Sequence, residues 1–302
     1  MKKAFSLVEL LVVIGIIGIL AGVLMGVFAG GGDSARAARC LSNMKNLANA
    51  CQTYGMKTGY YPNAASIETL EMDTSKGVRR AEKKYKDRAG WISLDTEGKY
   101  PTTSHSANAI IGMFSEDERK SAHALTNGCL WVYVARNRQT YVCPQHVKRC
   151  GKNARPLWSY LMNEYFYWDD SEGSRSYSID AKRREYGRLA KADKILLFSE
   201  VPYMNNCSWQ PEGEGGSTET DSVLQHSKNE MIGANHVNGR NLFAHVVFAD
   251  GHVEKLRIPY SGNIKNPQIN EGQIKQLTEW LCNGKDYAFD GRNYTLSNGV
   301  AD

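Results

Sequence analysis

The strongest constraint on the fold is an uncharged apolar run at residues 10–32, directly after the carboxylate of Glu9. As a helix this run would measure about 35 Å, which is enough to cross a hydrocarbon core of about 30 Å. Lys2 and Lys3 precede it, and the positive-inside rule then predicts a cytoplasmic N-terminus with the chain after Asp33 on the outer side. A carboxylate near the end of a membrane span is costly unless something pairs with it or it reaches the interface. The position of Glu9 therefore predicts a specific partner for its carboxylate.

Two simpler fates also fit an apolar N-terminal run. An ordinary secretory signal would be cut after Ala29 and would release a soluble protein, whereas a plain membrane anchor would stay uncut. Neither accounts for an acidic residue four positions after Phe5.

Residues 3–11, Lys-Ala-Phe-Ser-Leu-Val-Glu-Leu-Leu, resemble the signal of type IV prepilins and type II secretion pseudopilins. That signal has a short basic leader, a small residue, Phe-Thr-Leu-x-Glu and an apolar helix. The resemblance implies cleavage between Ala4 and Phe5 by prepilin peptidase and N-methylation of Phe5. It also implies that Glu9 neutralises the new amino terminus of a neighbouring subunit during assembly. The sequence departs from the family at Ala4, where Gly is usual, and in having no proline before Pro62.

After the apolar run, apolar side chains recur at steps of three and four, which predicts an amphipathic stem helix at residues 33–54 that packs on a folded head. The predicted organisation is a leader at 1–4, a transmembrane and assembly helix at 5–32, this stem, and a globular head with insertions at 55–302.

Within the head, β-rich strings predict strands at 129–134, 140–143 and 194–199. Asp250-Gly251 predicts a hairpin turn between strands 243–248 and 252–256, because this dipeptide tolerates the backbone angles of a tight turn. A short amphipathic helix is expected around residues 274–281. The predicted fold class is α+β, with a long N-terminal helix packed on an antiparallel sheet, as in pilins.

A second resemblance involves the string Val-Phe-Ala-Asp-Gly-His-Val at 247–253. It resembles the C-terminal signature of a group of prepilin-like proteins common in planctomycetes and related bacteria, in which a histidine is followed by nine residues and then Asp-Gly. Here thirteen residues separate His236 from Asp250, and the signature turn is Asp250, Gly251 and His252. Further segments follow the order of this group, at 39–45, 142–144 and 159–163.

The composition is that of a folded protein, with 42% hydrophobic and 23% charged residues among 302. The net charge of +5 is scattered and forms no basic stripe, which argues against a nucleic-acid partner. The sequence contains no Gly-x-Ser-x-Gly elbow and no phosphate loop, and we therefore expect no enzymatic activity.

Seven cysteines lie after the apolar run, where export would permit disulfides, and their odd number leaves at least one thiol without an intrachain partner. The short spacing of Cys143 and Cys150 favours these two as a disulfide pair. The sequence leaves the full connectivity open.

Two sets of residues bear on metal binding. One set is histidine-rich and matches no zinc motif, so we interpret it as a turn with exposed or hydrogen-bonded histidines; it comprises His236, His245, Asp250 and His252. The other is an acidic loop, which we interpret as solvated, with a Ca²⁺ site as the alternative that the resemblance to major pseudopilins also implies; it comprises Glu212, Glu214, Glu219 and Asp221. No other cofactor is expected.

The predicted function is that of a pilin-like structural subunit, assembled with other pilin-like subunits into a type II secretion or type IV pilus-like filament. Its predicted location is the inner membrane, as a single-pass protein with a cytoplasmic N-terminus and a periplasmic or extracellular head. The alternative is a membrane-tethered surface binding module that does not polymerise. A secreted hydrolase would require the ordinary signal-peptide interpretation.

Overall fold

The chain begins with one long helix, α1, Leu7–Thr58. Gly59 ends it with a positive φ of 81°, and its N–H donates to the carbonyl of Gly55 at 2.8 Å, a common way of closing a helix. The helix runs without a break through the predicted boundary at Asp33 and ends four residues beyond the predicted stem. The computed structural model describes residues 7–64, 90–92, 125–126, 128–150, 158–166, 185–201, 223–224, 231–263 and 266–297, apart from the side chains of 22–31, 150, 223 and 266–268.

The C-terminal half of α1 buries one face against the head. The buried side chains recur at steps of three and four, as the stem prediction required, and comprise Ala37, Cys40, Met44, Leu47, Cys51 and Tyr54. The predicted stem helix is therefore confirmed.

The head is built on a six-stranded sheet, whose strands are β1 Tyr160–Asn163, β2 Leu196–Glu200, β3 Val223–Leu224, β4 His236–Asn238, β5 Asn241–Phe248 and β6 Val253–Ile258. β5 lies at the centre of the sheet and pairs with β6 along one edge. Along its other edge, β5 pairs with β4 near its start and with β2 near its end. β1 follows β2, and all pairs are antiparallel except the short parallel pair of β1 and β3. The predicted strand at 194–199 and the predicted Asp-Gly hairpin are confirmed.

Helices cover both faces of this sheet. On one face lies the stem part of α1, and on the other lies α3, Glu271–Cys282, which begins at the Asn270 cap and confirms the predicted C-terminal helix. In β5, Val247 belongs to the core on the α1 side, whereas Ala244 and Val246 belong to the core on the α3 side. Because both faces are covered, β5 is almost continuously apolar rather than alternating. The predicted α+β class, with a helix packed on an antiparallel sheet, is confirmed.

The remaining elements are short. They are the helix α2 Pro144–Cys150, the 3₁₀ turns Arg138–Tyr141 and Glu164–Phe166, and two small hairpins formed by β7 Tyr260–Asn263 with β8 Asn266–Ile269 and by β9 Tyr287–Phe289 with β10 Tyr294–Leu296.

The strands predicted at 129–134 and 140–143 are wrong. Local hydrogen bonds hold the first segment in turns, with Tyr133 N–H donating to the Leu130 carbonyl at 3.0 Å. The second segment contains the end of the 3₁₀ turn Arg138–Tyr141, followed by two residues outside any helix or strand. Aromatic side chains in both segments pack on α1 or on each other, such as Tyr133 on Tyr54 and Trp131 on Tyr141, with ring centroids 6.2 Å apart in each case. The apolar and aromatic composition reflects this packing rather than sheet pairing.

The predicted disulfide between Cys143 and Cys150 is also wrong, since Cys143 is a free thiol. The segment after Cys143 is the helix α2 rather than a loop. Seven helical residues advance about 10 Å, which exceeds the Cα separation of about 7 Å that a disulfide tolerates.

Candidate functional site

The N-terminal part of α1 projects its apolar side chains outward. Eleven large aliphatic side chains from Leu7 to Leu20 are each between 45% and 77% exposed. A helix that is apolar on every side requires cover, from lipid or from neighbouring helices. Within the residues described, no helix combines the length and the apolarity needed to cross a membrane.

Glu9 lies in the first turn of α1 and is exposed. The positive end of the helix dipole favours a carboxylate at this position. Residues 1–6 lie outside the described residues, and with them the predicted processing residues Ala4 and Phe5. The geometry therefore presents Glu9 on an exposed apolar surface.

A second, buried site lies where α1 meets the edge of the sheet. β2 ends at Glu200 and β4 begins at His236, and both strands line the same edge of β5, opposite His245 and its neighbours. Cys40 of α1 and Cys143, directly before α2, face these two residues from the helical side. We call Cys40, Cys143, Glu200 and His236 the buried cluster.

The buried cluster brings four potential ligand atoms within 4.8 Å of one another. Glu200 Oε1 lies 3.4 Å from Cys40 Sγ and 3.0 Å from His236 Nε2. His236 Nε2 lies 3.6 Å from Cys143 Sγ. None of the four residues is more than 1% exposed. Among the described residues this is the only convergence of three or more such groups.

Neighbouring side chains support two members of the buried cluster. His245 donates its backbone N–H to Glu200 Oε1 at 2.9 Å, and its ring Nδ1 lies 3.1 Å from the same oxygen. Tyr160 donates its hydroxyl to Cys40 Sγ at 3.4 Å. No described residue hydrogen-bonds to Glu200 Oε2 or to His236 Nδ1. Two polar atoms at the centre of the head thus lack a protein partner among those described.

Burial and neighbouring groups shift the pKa of each of the four residues in the buried cluster. Burial alone would raise the pKa of Glu200, but the adjacent His236 and His245 hold it well below its usual range. Burial opposes a charged imidazole, yet Glu200 and Cys143 raise the pKa of His236 to about 9. Burial disfavours a thiolate, but hydrogen bonds with Cys40 and His236 lower the pKa of Cys143 to about 6. The pKa of Cys40 is well above its usual value, because the thiol is buried, shares a hydrogen bond with Cys143 and lies near the charge of Glu200.

The structure divides the predicted histidine-rich set. His236 and His245 lie in or beside the buried cluster, whereas Asp250 and His252 belong to the turn between β5 and β6 and join no potential metal site among the described residues. Asp250 accepts a bond from the backbone N–H of His252 at 3.0 Å, and Gly251 has a φ of 90°. For Asp250 and His252, the interpretation as turn residues fits what is observed.

The acidic loop with Glu212, Glu214, Glu219 and Asp221 lies outside the described residues. Its Ca²⁺ site therefore stays a prediction.

Sequence reasoning missed the buried cluster. The helical spacing of Cys40 predicts only core packing, the short spacing of Cys143 and Cys150 favours a disulfide, and no sequence pattern assigns a role to Glu200. One usable signal is present: Glu200 is the last residue of β2, two positions after its apolar residues 196–198, and an acid at the end of a buried strand needs a partner.

Comparison with known proteins identifies the N-terminal segment. Residues 1–25 match the prokaryotic N-terminal methylation motif, which supports a type IV prepilin-like family. The matched segment contains Ala4, Phe5 and Glu9. Neither the curated proteins nor the solved structures include a significant match.

Proposed function

We propose that this chain is a pilin-like structural subunit that assembles through the N-terminal part of α1. Prepilin peptidase cuts it between Ala4 and Phe5, and Phe5 is then N-methylated. The helix anchors the subunit in the inner membrane, with the head on the periplasmic or extracellular side. Other pilin-like subunits are its partners in a type II secretion or type IV pilus-like filament, and its role is structural rather than catalytic.

The observation that carries this proposal is the division of α1 into two surfaces. Its first part exposes aliphatic side chains at every position from Leu10 to Ile14, whereas its second part buries a stripe in the head. Burying apolar surface yields about 25 cal/mol per Å², so the exposed part favours both lipid and other helices of the same kind. The methylation motif at residues 1–25 overlaps this exposed part.

Glu9 supplies the specificity of the proposed contact. After cleavage, Phe5 would carry an α-ammonium group on the same apolar surface. A charge is costly in apolar surroundings, and pairing Glu9 of one subunit with the amino terminus of the next lowers that cost for both groups.

Replacing Glu9 with Gln tests this proposal, because the side chain keeps its shape and loses its charge. We expect at least about a tenfold loss of the chain from sheared filaments, which corresponds to about 1.4 kcal/mol per contact. Mass spectrometry of the membrane fraction should still find methylated Phe5. The matched control is Glu279→Gln, which removes a charge from the exposed face of α3.

Wild-type levels of Glu9→Gln in filaments would overturn the role of Glu9. If the processed wild-type chain never forms filaments under electron microscopy, the alternative of a tethered surface module is favoured. An N-terminus at Gly30 would instead indicate an ordinary secretory signal.

We further propose that the head belongs to the prepilin-like group with the C-terminal histidine and Asp-Gly signature. The Asp250-Gly251 turn between β5 and β6 supports this assignment, as does the order of the segments at 39–45 and 142–144.

A further inference from the structure

We propose that Cys40, Cys143, Glu200 and His236 bind one Zn²⁺ ion, which fastens the stem part of α1 to the edge of the sheet. This inference concerns the stability of the head and is independent of filament assembly.

The distances within the buried cluster fit a tetrahedral site. Zinc binds sulfur at about 2.3 Å and nitrogen or oxygen at about 2.0–2.2 Å, so tetrahedral ligand atoms lie about 3.6 Å apart for S and N, about 3.5 Å for S and O, and about 3.3 Å for N and O. The corresponding distances are 3.6 Å from Cys143 Sγ to His236 Nε2, 3.4 Å from Cys40 Sγ to Glu200 Oε1, and 3.0 Å from His236 Nε2 to Glu200 Oε1. Little movement is needed to admit the ion.

The ligand set selects the kind of metal. Two thiolates and an imidazole disfavour Mg²⁺ and Ca²⁺, which prefer oxygen, and they suit Zn²⁺. Four protein ligands without an open position are typical of structural rather than catalytic zinc. Complete burial of Cys40, Cys143 and Glu200 agrees with a structural site.

Charge within the buried cluster also calls for a cation. Glu200 is fully buried, and its Oε2 has no hydrogen-bond partner among the described residues. A fully buried carboxylate oxygen that lacks a hydrogen-bond partner is costly. A cation bound to this carboxylate would offset part of that cost, and its binding would be accompanied by proton release, because thiolate and neutral imidazole are the forms that bind a metal.

Hydrogen bonds from neighbouring residues hold two of the proposed ligands, Glu200 and Cys40, in place. The backbone N–H and ring of His245 fix Glu200, and the hydroxyl of Tyr160 fixes Cys40, as partners of ligand residues do in metal sites. His245, which contacts Glu200, also lines a surface groove together with Ala37 and Phe243.

Metal analysis of the full-length chain, purified in detergent, tests the proposal. After incubation with Zn²⁺ and desalting, we expect about one zinc per chain by mass spectrometry. Cys40→Ala and His236→Ala should each lower this content at least about tenfold, because a three-ligand site binds far more weakly. The control is Cys51→Ala, which removes another buried thiol from the same face of α1 and should retain the ion.

Cobalt substitution gives a readout that does not depend on stability. Co²⁺ in the wild-type chain should show the visible bands of a tetrahedral site and a thiolate charge-transfer band. Cys51→Ala should keep both, and Cys143→Ser should lose most of the charge-transfer intensity. For a variant that folds poorly, the conservative Glu200→Gln serves instead, and it should shift the visible bands while both thiolates remain.

Two results would overturn the proposal. One is a zinc content in the wild-type chain no higher than in Cys40→Ala. The other is a disulfide between Cys40 and Cys143, found by peptide mapping of unreduced protein from the exported fraction, since a disulfide removes both thiolate ligands.

Discussion

At the scale of single residues, Gly251 couples the turn between β5 and β6 to the stem of α1. Gln52 of α1 donates its side-chain amide to the carbonyl of Asp250 at 2.6 Å, and Tyr61 donates its hydroxyl to the carbonyl of Ala249 at 3.0 Å. A Cβ at position 251 would lie 2.2 Å from the Gln52 amide nitrogen. The positive φ therefore favours glycine, and a Cβ would in addition displace the end of the Gln52 side chain.

Gly251→Ala should lower the free energy of unfolding by roughly 1–3 kcal/mol. The alanine adopts an unfavourable backbone conformation, and its Cβ displaces Gln52 from its hydrogen bond. Gly239→Ala is the matched control, because Gly239 has a φ of 60° in the turn between β4 and β5 and no atom of the described residues lies within 4 Å of its Cβ position. Guanidinium unfolding followed by tryptophan fluorescence measures both. Equal losses for the two variants would show that the contact with Gln52 contributes nothing.

The sequence is sufficient to predict the Asp250-Gly251 turn but not the buried cluster. Turn chemistry identified Asp250-Gly251, because a tight turn depends on a dipeptide. The cluster depends on β2 and β4 sharing one edge of β5, and no local pattern around Glu200 or His236 encodes that pairing. Cys40 has the same helical spacing as its packing neighbours, so its sequence position cannot distinguish a ligand from a core residue.

At the scale of elements, α1 contributes to the head through its buried stripe. Leu47 lies at the centre of this stripe and is fully buried, whereas Leu41 on the same helix is 38% exposed. Asn43 extends the contact, since its side chain donates to the carbonyls of Gln139 and Val142 at 2.9 Å each. The stem therefore holds the sheet on one side and the segment before α2 on another.

Leu47→Ala should destabilise the head by roughly 2–5 kcal/mol, because it leaves a cavity between α1 and the sheet. Leu41→Ala changes the same side chain at an exposed site and should cost less than about 1 kcal/mol. Denaturant midpoints of the two variants provide the comparison. A loss for Leu41→Ala that matches the loss for Leu47→Ala would contradict the burial assigned to the stripe.

Elements with a strong internal pattern were predictable, and elements defined by packing were not. The stem has the helical period, and α3 has both a cap at Asn270 and an apolar stripe. The segment at 129–134 contains the same residue types as a strand, but Ala135 and Arg136 adopt positive φ angles of 54° and 57° and its bonds stay local. Composition alone cannot separate a strand from an irregular segment packed on a core.

At the scale of the whole molecule, the chain combines a head that buries its apolar side chains with a helix end that exposes them. The stem stripe from Cys40 to Tyr54 is covered by the head, and Ile17 and Leu20 are 58% and 57% exposed. In the proposed function, lipid and neighbouring subunits cover this end, so its apolar character should matter for location and not for the stability of the head.

The double variant Ile17→Lys and Leu20→Lys separates these two roles. Each lysine near the middle of a membrane helix costs roughly 2.5–3.5 kcal/mol, so we expect most of the chain to leave the carbonate-resistant membrane fraction. The melting temperature of the head should stay unchanged, because neither side chain packs against it. Met56→Lys is the control: it adds a charge at a 69% exposed site near the other end of α1, and this variant should remain in the membrane. Full retention of the double variant in the membrane would contradict anchoring by this segment, and unfolding of its head would show that the exposed end supports the fold.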